Sequence, residues 1–71
     1  MIFAIDDEVV VQLPENMNGE IHIYDLMGQQ ITSELGHESS INRIKLNIKS
    51  GIYIVKFINN SEIYSEKVFI K

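Results

Sequence analysis

Two histidines, His22 and His37, are the only side chains in this 71-residue sequence that offer an imidazole base. A hydrolase of the serine type needs a nucleophile within reach of such a base and a third group that orients the base. Ser39 and Ser40 adjoin His37, but neighbours along one loop are poorly placed to act as a triad. Two histidines without any cysteine also lack the ligand spacing of a zinc site. We therefore expect no enzymatic activity, no metal site and no cofactor.

Two further polar stretches each allow a functional and a structural interpretation. Residues 6–8 form an Asp-Asp-Glu run, whose carboxylates suit calcium but which lacks the ligand spacing and glycine of an EF-hand loop. Residues 59–61, Asn-Asn-Ser, match the N-glycosylation sequon. Asparagine is also favoured at hairpin tips for backbone reasons alone. We expect turns at both places.

The composition describes one small acidic domain over residues 1–71. The net charge is −4 with scattered acids, whereas a nucleic-acid interface requires clustered lysine and arginine. The sequence is 45% hydrophobic, which is too apolar for a disordered chain. No apolar run is long enough to span a membrane, and the amino terminus lacks the basic start of a signal peptide. We expect no nucleic-acid partner and no transmembrane segment, and export would require a signal elsewhere on a larger parent chain.

Residues 51–57 are the longest run rich in β-branched and aromatic residues, and they predict the central strand. Because side chains alternate along a strand, both of its faces are apolar: Tyr53, Val55 and Phe57 on one, and Ile52, Ile54 and Ile58 on the other. A strand that is apolar on both faces is typically covered on each side. We therefore favour a second core contact for the isoleucine face over a patch that a partner covers.

Six other short apolar runs predict strands at residues 1–5, 8–13, 20–25, 29–34, 41–48 and 62–71. Asn18-Gly19 is a strong hairpin signal, and residues 35–40 read as a polar loop. No segment has the spacing of an amphipathic helix. Regularly spaced short strands with turns between them predict an all-β fold, an immunoglobulin-like antiparallel β-sandwich of about seven short strands.

Two local patterns shape this predicted sandwich. Asp25 begins and Gly28 ends a stretch with type I turn chemistry, which leads into a hairpin with a bulge. Tyr53 lies just after Gly51 at the start of the central strand. It fits a tyrosine corner, in which the hydroxyl bonds to the backbone a few residues upstream.

Three stretches in series, residues 23–28, 50–56 and 66–71, resemble the C-terminal sorting domain of the type IX secretion system, type A (the Por secretion system). They read Ile-Tyr-Asp-Leu-Met-Gly, Ser-Gly-Ile-Tyr-Ile-Val-Lys and Glu-Lys-Val-Phe-Ile-Lys. The resemblance covers residues 8–71. Family members usually carry a Pro-Asn-Pro segment before the first strands, which residues 1–13 lack, and residues 29–30 are glutamines where a basic pair often follows the glycine.

The resemblance implies a module at the carboxyl end of a larger exported protein of Bacteroidetes-type bacteria. The implied partners are a passenger domain on the amino-terminal side, an outer-membrane translocon and a sortase that usually removes the domain. The implied route runs through the periplasm to the cell surface or the extracellular space.

Carried onto this sequence, the resemblance implies that Asp25, Gly28, Gly51 and Tyr53 shape the turn and the central strand. It also implies a candidate recognition surface at Lys56, Lys67 and Lys71. The alternative for the lysines is protection of strand edges against aggregation. The alternative for the whole domain is a passive immunoglobulin-like adhesion, carbohydrate-binding or spacer module, because such folds host many functions.

Overall fold

The computed structural model describes residues 1–13, 18–36, 41–60 and 62–71, and within them it contains only strands, turns and irregular backbone. The seven strands are β1 (Ile2–Ile5), β2 (Glu8–Gln12), β3 (Gly19–Tyr24), β4 (Gln30–Gly36), β5 (Ile41–Lys45), β6 (Gly51–Ile58) and β7 (Ile63–Ile70). No described segment forms a helix that is long and apolar enough to cross a membrane.

The strands form two antiparallel sheets, with the orders β1-β2-β5 and β4-β3-β6-β7. Three hairpins, β1–β2, β3–β4 and β6–β7, stay within one sheet, and the chain changes sheet between β2 and β3, between β4 and β5 and between β5 and β6. The predicted immunoglobulin-like β-sandwich is therefore confirmed. Its predicted central strand, β6, lies inside the larger sheet between β3 and β7.

The core lies between the two sheets and consists of the alternate side chains that point inward. The smaller sheet and the segment after it contribute Val9, Val11, Ile44 and Leu46, and the larger sheet contributes Ile21, Ile23, Tyr53, Val55, Phe57, Val68 and Ile70. The predicted inward face of β6 is correct, since Tyr53, Val55 and Phe57 are all buried.

The predicted second core contact on the opposite face of β6 is wrong. Ile52 is 47% exposed, and Ile54 and Ile58 are only half-buried. β6 is central within its sheet, but the other sheet covers only one side, as is common for antiparallel sheets. The solvent-facing side of the larger sheet is called the outer face below.

The hairpin predicted at Asn18-Gly19 is also wrong, because β2 and β3 belong to different sheets. Gly19 instead begins β3 at a point of close approach. A Cβ atom there would lie 2.4 Å from the carbonyl oxygen of Ile58 and 2.8 Å from the ring of Phe57. This crowding, rather than turn geometry, accounts for the glycine.

Two strand ends differ from the prediction by more than one residue. β5 ends at Lys45, three residues early, because its partner β2 begins at Glu8, opposite Lys45, and the chain before Glu8 is the β1–β2 turn. The amide of Leu46 still donates to the carbonyl of Asp7 in that turn, at 2.8 Å. β4 continues through Leu35 and Gly36, which the sequence placed in a loop. The rest of that loop, at residues 37–40, lies outside the described residues.

Candidate functional site

The turn between β3 and β4 is built around the carboxylate of Asp25. Its Oδ1 atom accepts hydrogen bonds from the amides of Met27 and Gln29, both at 2.9 Å. The amide of Gly28 donates to the Asp25 carbonyl at 3.1 Å, and Gly28 has a φ of +87°. Residues other than glycine rarely adopt that backbone conformation. A register shift between Ile23 and Tyr24 adds the bulge that the sequence indicated.

Tyr53 joins the start of β6 to the segment that arrives from the other sheet. Its hydroxyl donates to the carbonyl of Lys49 at 2.8 Å in a partly buried setting. This is the arrangement of a tyrosine corner. Gly51, the first residue of β6, pairs with Ile70 near the end of β7, so the corner lies at the end of the larger sheet where the chain terminates.

The three candidate recognition lysines lie on or next to the outer face. Cross-strand pairing places Lys56 opposite Ser65 and Lys67 opposite Ile54. Lys56 is half-buried, and its Nζ atom lies 5.4 Å from the centre of the Tyr24 ring, in cation–π range.

Lys67 and Lys71 are exposed. Lys71 follows β7, and its backbone amide donates to the carbonyl of Asp6 at 2.9 Å. The end of the chain is therefore tied to the β1–β2 turn of the other sheet, while both ammonium groups stay accessible to an acidic partner.

His22 also lies on the outer face, where both ring nitrogens are engaged. Nε2 lies 2.9 Å from Oε1 of Glu20, and Nδ1 lies 3.1 Å from Oε1 of Gln30. The ring stacks on Tyr24 with centroids 6.2 Å apart. His22 thus belongs to a polar network that spans β3 and β4, and the other possible base, His37, lies outside the described residues.

The acidic stretch at residues 6–8 contains the turn between β1 and β2. Asp6 has a φ of 52°, a left-handed value that aspartate tolerates in tight turns. Within the described residues, no three His, Cys, Asp or Glu side chains are grouped so that they could hold a metal ion.

At residues 59–61, the amide of Glu62 donates to the side chain of Asn59 at 2.8 Å, and Ser61 lies outside the described residues.

The first half of β7 borders an open cavity between the two sheets, of about 270 Å³. Tyr64 lines this cavity and stacks on Phe57, with ring centroids 6.4 Å apart. The hydroxyl of Tyr64 donates to the carboxylate of Glu62. That hydrogen bond raises the pKa of Tyr64, and desolvation and the negative charge of Glu62 act in the same direction.

The outer face ends in exposed apolar side chains next to the β3–β4 turn. Ile52 and Phe69 are cross-strand partners at the end of the sheet, and Leu26 and Met27 occupy the turn itself. Sequence reasoning missed this group because it placed the isoleucine face of β6 in the core. The sequence did contain a signal for an exposed apolar site, because Leu26 and Met27 are large apolar residues at turn positions, which usually carry glycine, proline or small polar residues.

These features define a class of protein, an immunoglobulin-like sandwich module whose outer sheet face carries lysines, a polar network around His22 and exposed apolar side chains. A family model described as the secretion system C-terminal sorting domain matches residues 5–71. The chain therefore belongs to the family of C-terminal sorting domains of the type IX secretion system. No curated protein and no solved structure matches the chain in the corresponding searches.

Family membership gives the function of the chain. It is a C-terminal sorting signal for type IX secretion, which serves a passenger protein and implies export towards the cell surface or the extracellular space. The family is one of sorting signals and not a known enzyme family. The resemblance seen in the sequence is therefore confirmed over nearly the whole chain.

Proposed function

We propose that this domain stands at the carboxyl end of a larger passenger and that the outer-membrane translocon of the type IX system binds it in the periplasm. A cell-surface sortase then removes it. The observation that carries this proposal is the family match, which covers β2 to β7, six of the seven strands, rather than one short motif. In this proposal the translocon binds the sandwich in its folded state.

The sortase cuts upstream of β1 in this proposal. β1 is paired with β2 along all four of its residues, and the amide of Gln12 donates to the carbonyl of Met1 at 2.8 Å. Backbone held in a sheet gives a protease little access, whereas an exposed linker is readily cleaved. Cleavage before Ile2 leaves the sandwich intact as a released fragment.

The route and the cut are tested with a signal-peptide passenger that carries this chain at its carboxyl end. In a strain that lacks the translocon, we expect the uncut fusion in the periplasmic fraction. In the parent strain, mass spectrometry of the released domain should give an amino terminus at or before residue 1. A cut within the strands, or uncut fusion at the surface of a strain with an active sortase, would contradict the proposed processing.

The recognition lysines are tested with the double variant Lys67→Ala with Lys71→Ala. Both side chains are exposed and the core is untouched, so stability should change by less than about 0.5 kcal/mol. Exposed ion pairs contribute about 0.2–1 kcal/mol each, so loss of two should lower the export rate roughly two- to thirtyfold.

The matched control is Lys45→Ala with Lys49→Ala. It removes the same charge from exposed positions outside the larger sheet. If the Lys67/Lys71 variant folds and is exported at the same rate as this control, the two lysines do not take part in recognition. Protection of strand edges against aggregation is then their role.

A further inference from the structure

The outer face has two apolar ends that a polar row separates. The row consists of Ser33, His22, Lys56 and Ser65, aligned across the four strands. At one end lie Leu26, Met27, Ile52 and Phe69, which together are called the apolar corner. Met27 is 92% exposed, Leu26 and Phe69 are each 60% exposed, and Ile52 is 47% exposed. Four large apolar side chains exposed at one end of a small domain commonly mark an interaction site.

Register places the turn and the sheet end next to each other. Tyr24, the last residue of β3, pairs with Ile54 of β6. Since β3 runs antiparallel to β6, the chain beyond Tyr24 continues towards the start of β6, where Ile52 pairs with Phe69. The turn residues Leu26 and Met27 therefore lie at the same end of the larger sheet as Ile52 and Phe69.

The turn that carries Leu26 and Met27 is held in one conformation. Four hydrogen bonds close it: two to the Asp25 carboxylate, one to the Asp25 carbonyl and one from the Asp25 amide to the Gln29 carbonyl at 3.0 Å. Two apolar side chains on a fixed turn lose little conformational freedom when they enter a pocket, which favours binding.

The charges around the apolar corner indicate the chemistry of its partner. Lys67 is two residues before Phe69 and Lys71 is two residues after it, so alternation places both exposed lysines on the face of Phe69. The carboxylate of Asp25, in the turn, is occupied by amides of its own turn. Glu20, on the same face, lies beyond the polar row and contacts His22. A complementary surface is therefore an apolar pocket with carboxylates at its rim.

We propose that the apolar corner is the part of this domain that a protein of the type IX export machinery holds, in an apolar pocket edged by carboxylates. This inference rests on the proposed recognition by the translocon and names the surface that is recognised. A protein pocket is favoured over a membrane surface because the hydrogen-bonded turn holds Leu26 and Met27 in one conformation, which suits a pocket of fixed shape.

The test compares two double variants of the passenger fusion. Met27→Ser with Phe69→Thr removes apolar surface from the corner. Leu35→Ser with Ile63→Thr removes matched surface, 68% and 67% exposed, from the opposite end of the same face. Both variants leave the core intact. Equal denaturant midpoints for the isolated domains show that neither has lost its fold.

We expect the corner variant to be exported at least tenfold more slowly than the unmodified fusion, because a few anchor residues near the centre of an interface carry most of its binding energy, and tenfold corresponds to about 1.4 kcal/mol. The control should be exported at the unmodified rate. If both variants or neither are slowed while the unmodified fusion is exported, the apolar corner is not the recognised surface. If the unmodified fusion itself stays in the periplasm, the proposed sorting role fails first, so the two failures are distinguishable.

Sedimentation with vesicles of phosphatidylcholine and phosphatidylglycerol separates a protein partner from a lipid surface. We expect the isolated domain to remain in the supernatant. Binding to these vesicles that the Met27→Ser with Phe69→Thr variant abolishes would overturn the assignment to a protein pocket.

Discussion

At the scale of single residues, Tyr53 combines a buried ring with a hydrogen bond from its hydroxyl to the carbonyl of Lys49, in the segment that leads from the smaller sheet to the larger one. Tyr53→Phe removes the hydrogen bond and keeps the ring, so we expect a loss of about 1 kcal/mol in unfolding free energy. Tyr53→Ala also removes the ring from the core and should cost about 3 kcal/mol or more.

Denaturant titration of the isolated domain measures both variants. The difference between them separates the hydrogen bond from the packing of the ring. An unfolding midpoint that Tyr53→Phe leaves unchanged would show that the bond to Lys49 contributes nothing to stability.

Tyr64 gives a residue-scale prediction that depends on pH. Its pKa is raised, with the hydrogen bond to Glu62 as the largest cause. A folded pKa above the unfolded value means that the stabilisation is complete below the unfolded pKa and is lost as pH rises through the folded pKa. Glu62→Gln removes the acceptor charge and should lower the pKa of Tyr64, observed as earlier ionisation of its ring resonances by NMR. Unchanged ionisation of Tyr64 in that variant would contradict the assigned cause.

At the scale of elements, the β3–β4 turn depends on the left-handed backbone of Gly28. No atom lies within 4 Å of the position of an added Cβ, so the cost of a substitution there is purely conformational. Gly28→Val should destabilise the domain by about 1–2 kcal/mol, whereas Gly28→Asn should cost less because asparagine tolerates this conformation.

Thermal unfolding of the two Gly28 variants measures this difference. Gly36 was predicted to lie in a loop, where a valine would be tolerated, but it ends β4 and is unsuitable as a control. A Cβ atom at Gly36 would lie 3.2 Å from Leu13 and from Phe57. Equal unfolding temperatures for the valine and asparagine variants would show that the turn is not held in the left-handed conformation.

The elements themselves were largely predictable, because alternation of apolar residues is a local signal. Tyr53, Val55 and Phe57 face the core as their spacing indicated. The partner of each strand was less predictable, since it depends on contacts far apart in sequence. Asn18-Gly19 has the chemistry of a hairpin turn, yet the chain changes sheet there. Glycine is required at position 19 because Ile58 and Phe57 leave no room for a Cβ atom.

The same limit explains how the proposed recognition surface was only partly predicted. The family resemblance named Lys56 and Lys67, and the register of β6 and β7 places both on the outer face. Whether the isoleucine face of β6 was covered could not be decided from its own composition, because a buried face and an apolar interaction face have the same sequence pattern. Only the two-layer arrangement of the sheets exposes Ile52 and Phe69 together.

At the scale of the whole molecule, the proposed recognition surface lies apart from the core. The space between the sheets holds the core, and the outer face of the larger sheet carries lysines and the apolar corner. The backbone bond from Lys71 to Asp6 and that from Leu46 to Asp7 tie both sheets to one turn. The domain can therefore present its outer face as a rigid surface, which suits a signal that is read in the folded state.

The most direct test of this account is the fraction of a signal-peptide reporter that reaches the surface or medium of a type IX-competent bacterium when this chain is fused to its carboxyl end. The account predicts that most of the fused reporter leaves the periplasm, while the reporter without the chain stays there. A fused reporter that folds, remains intact and still accumulates in the periplasm would contradict the sorting function.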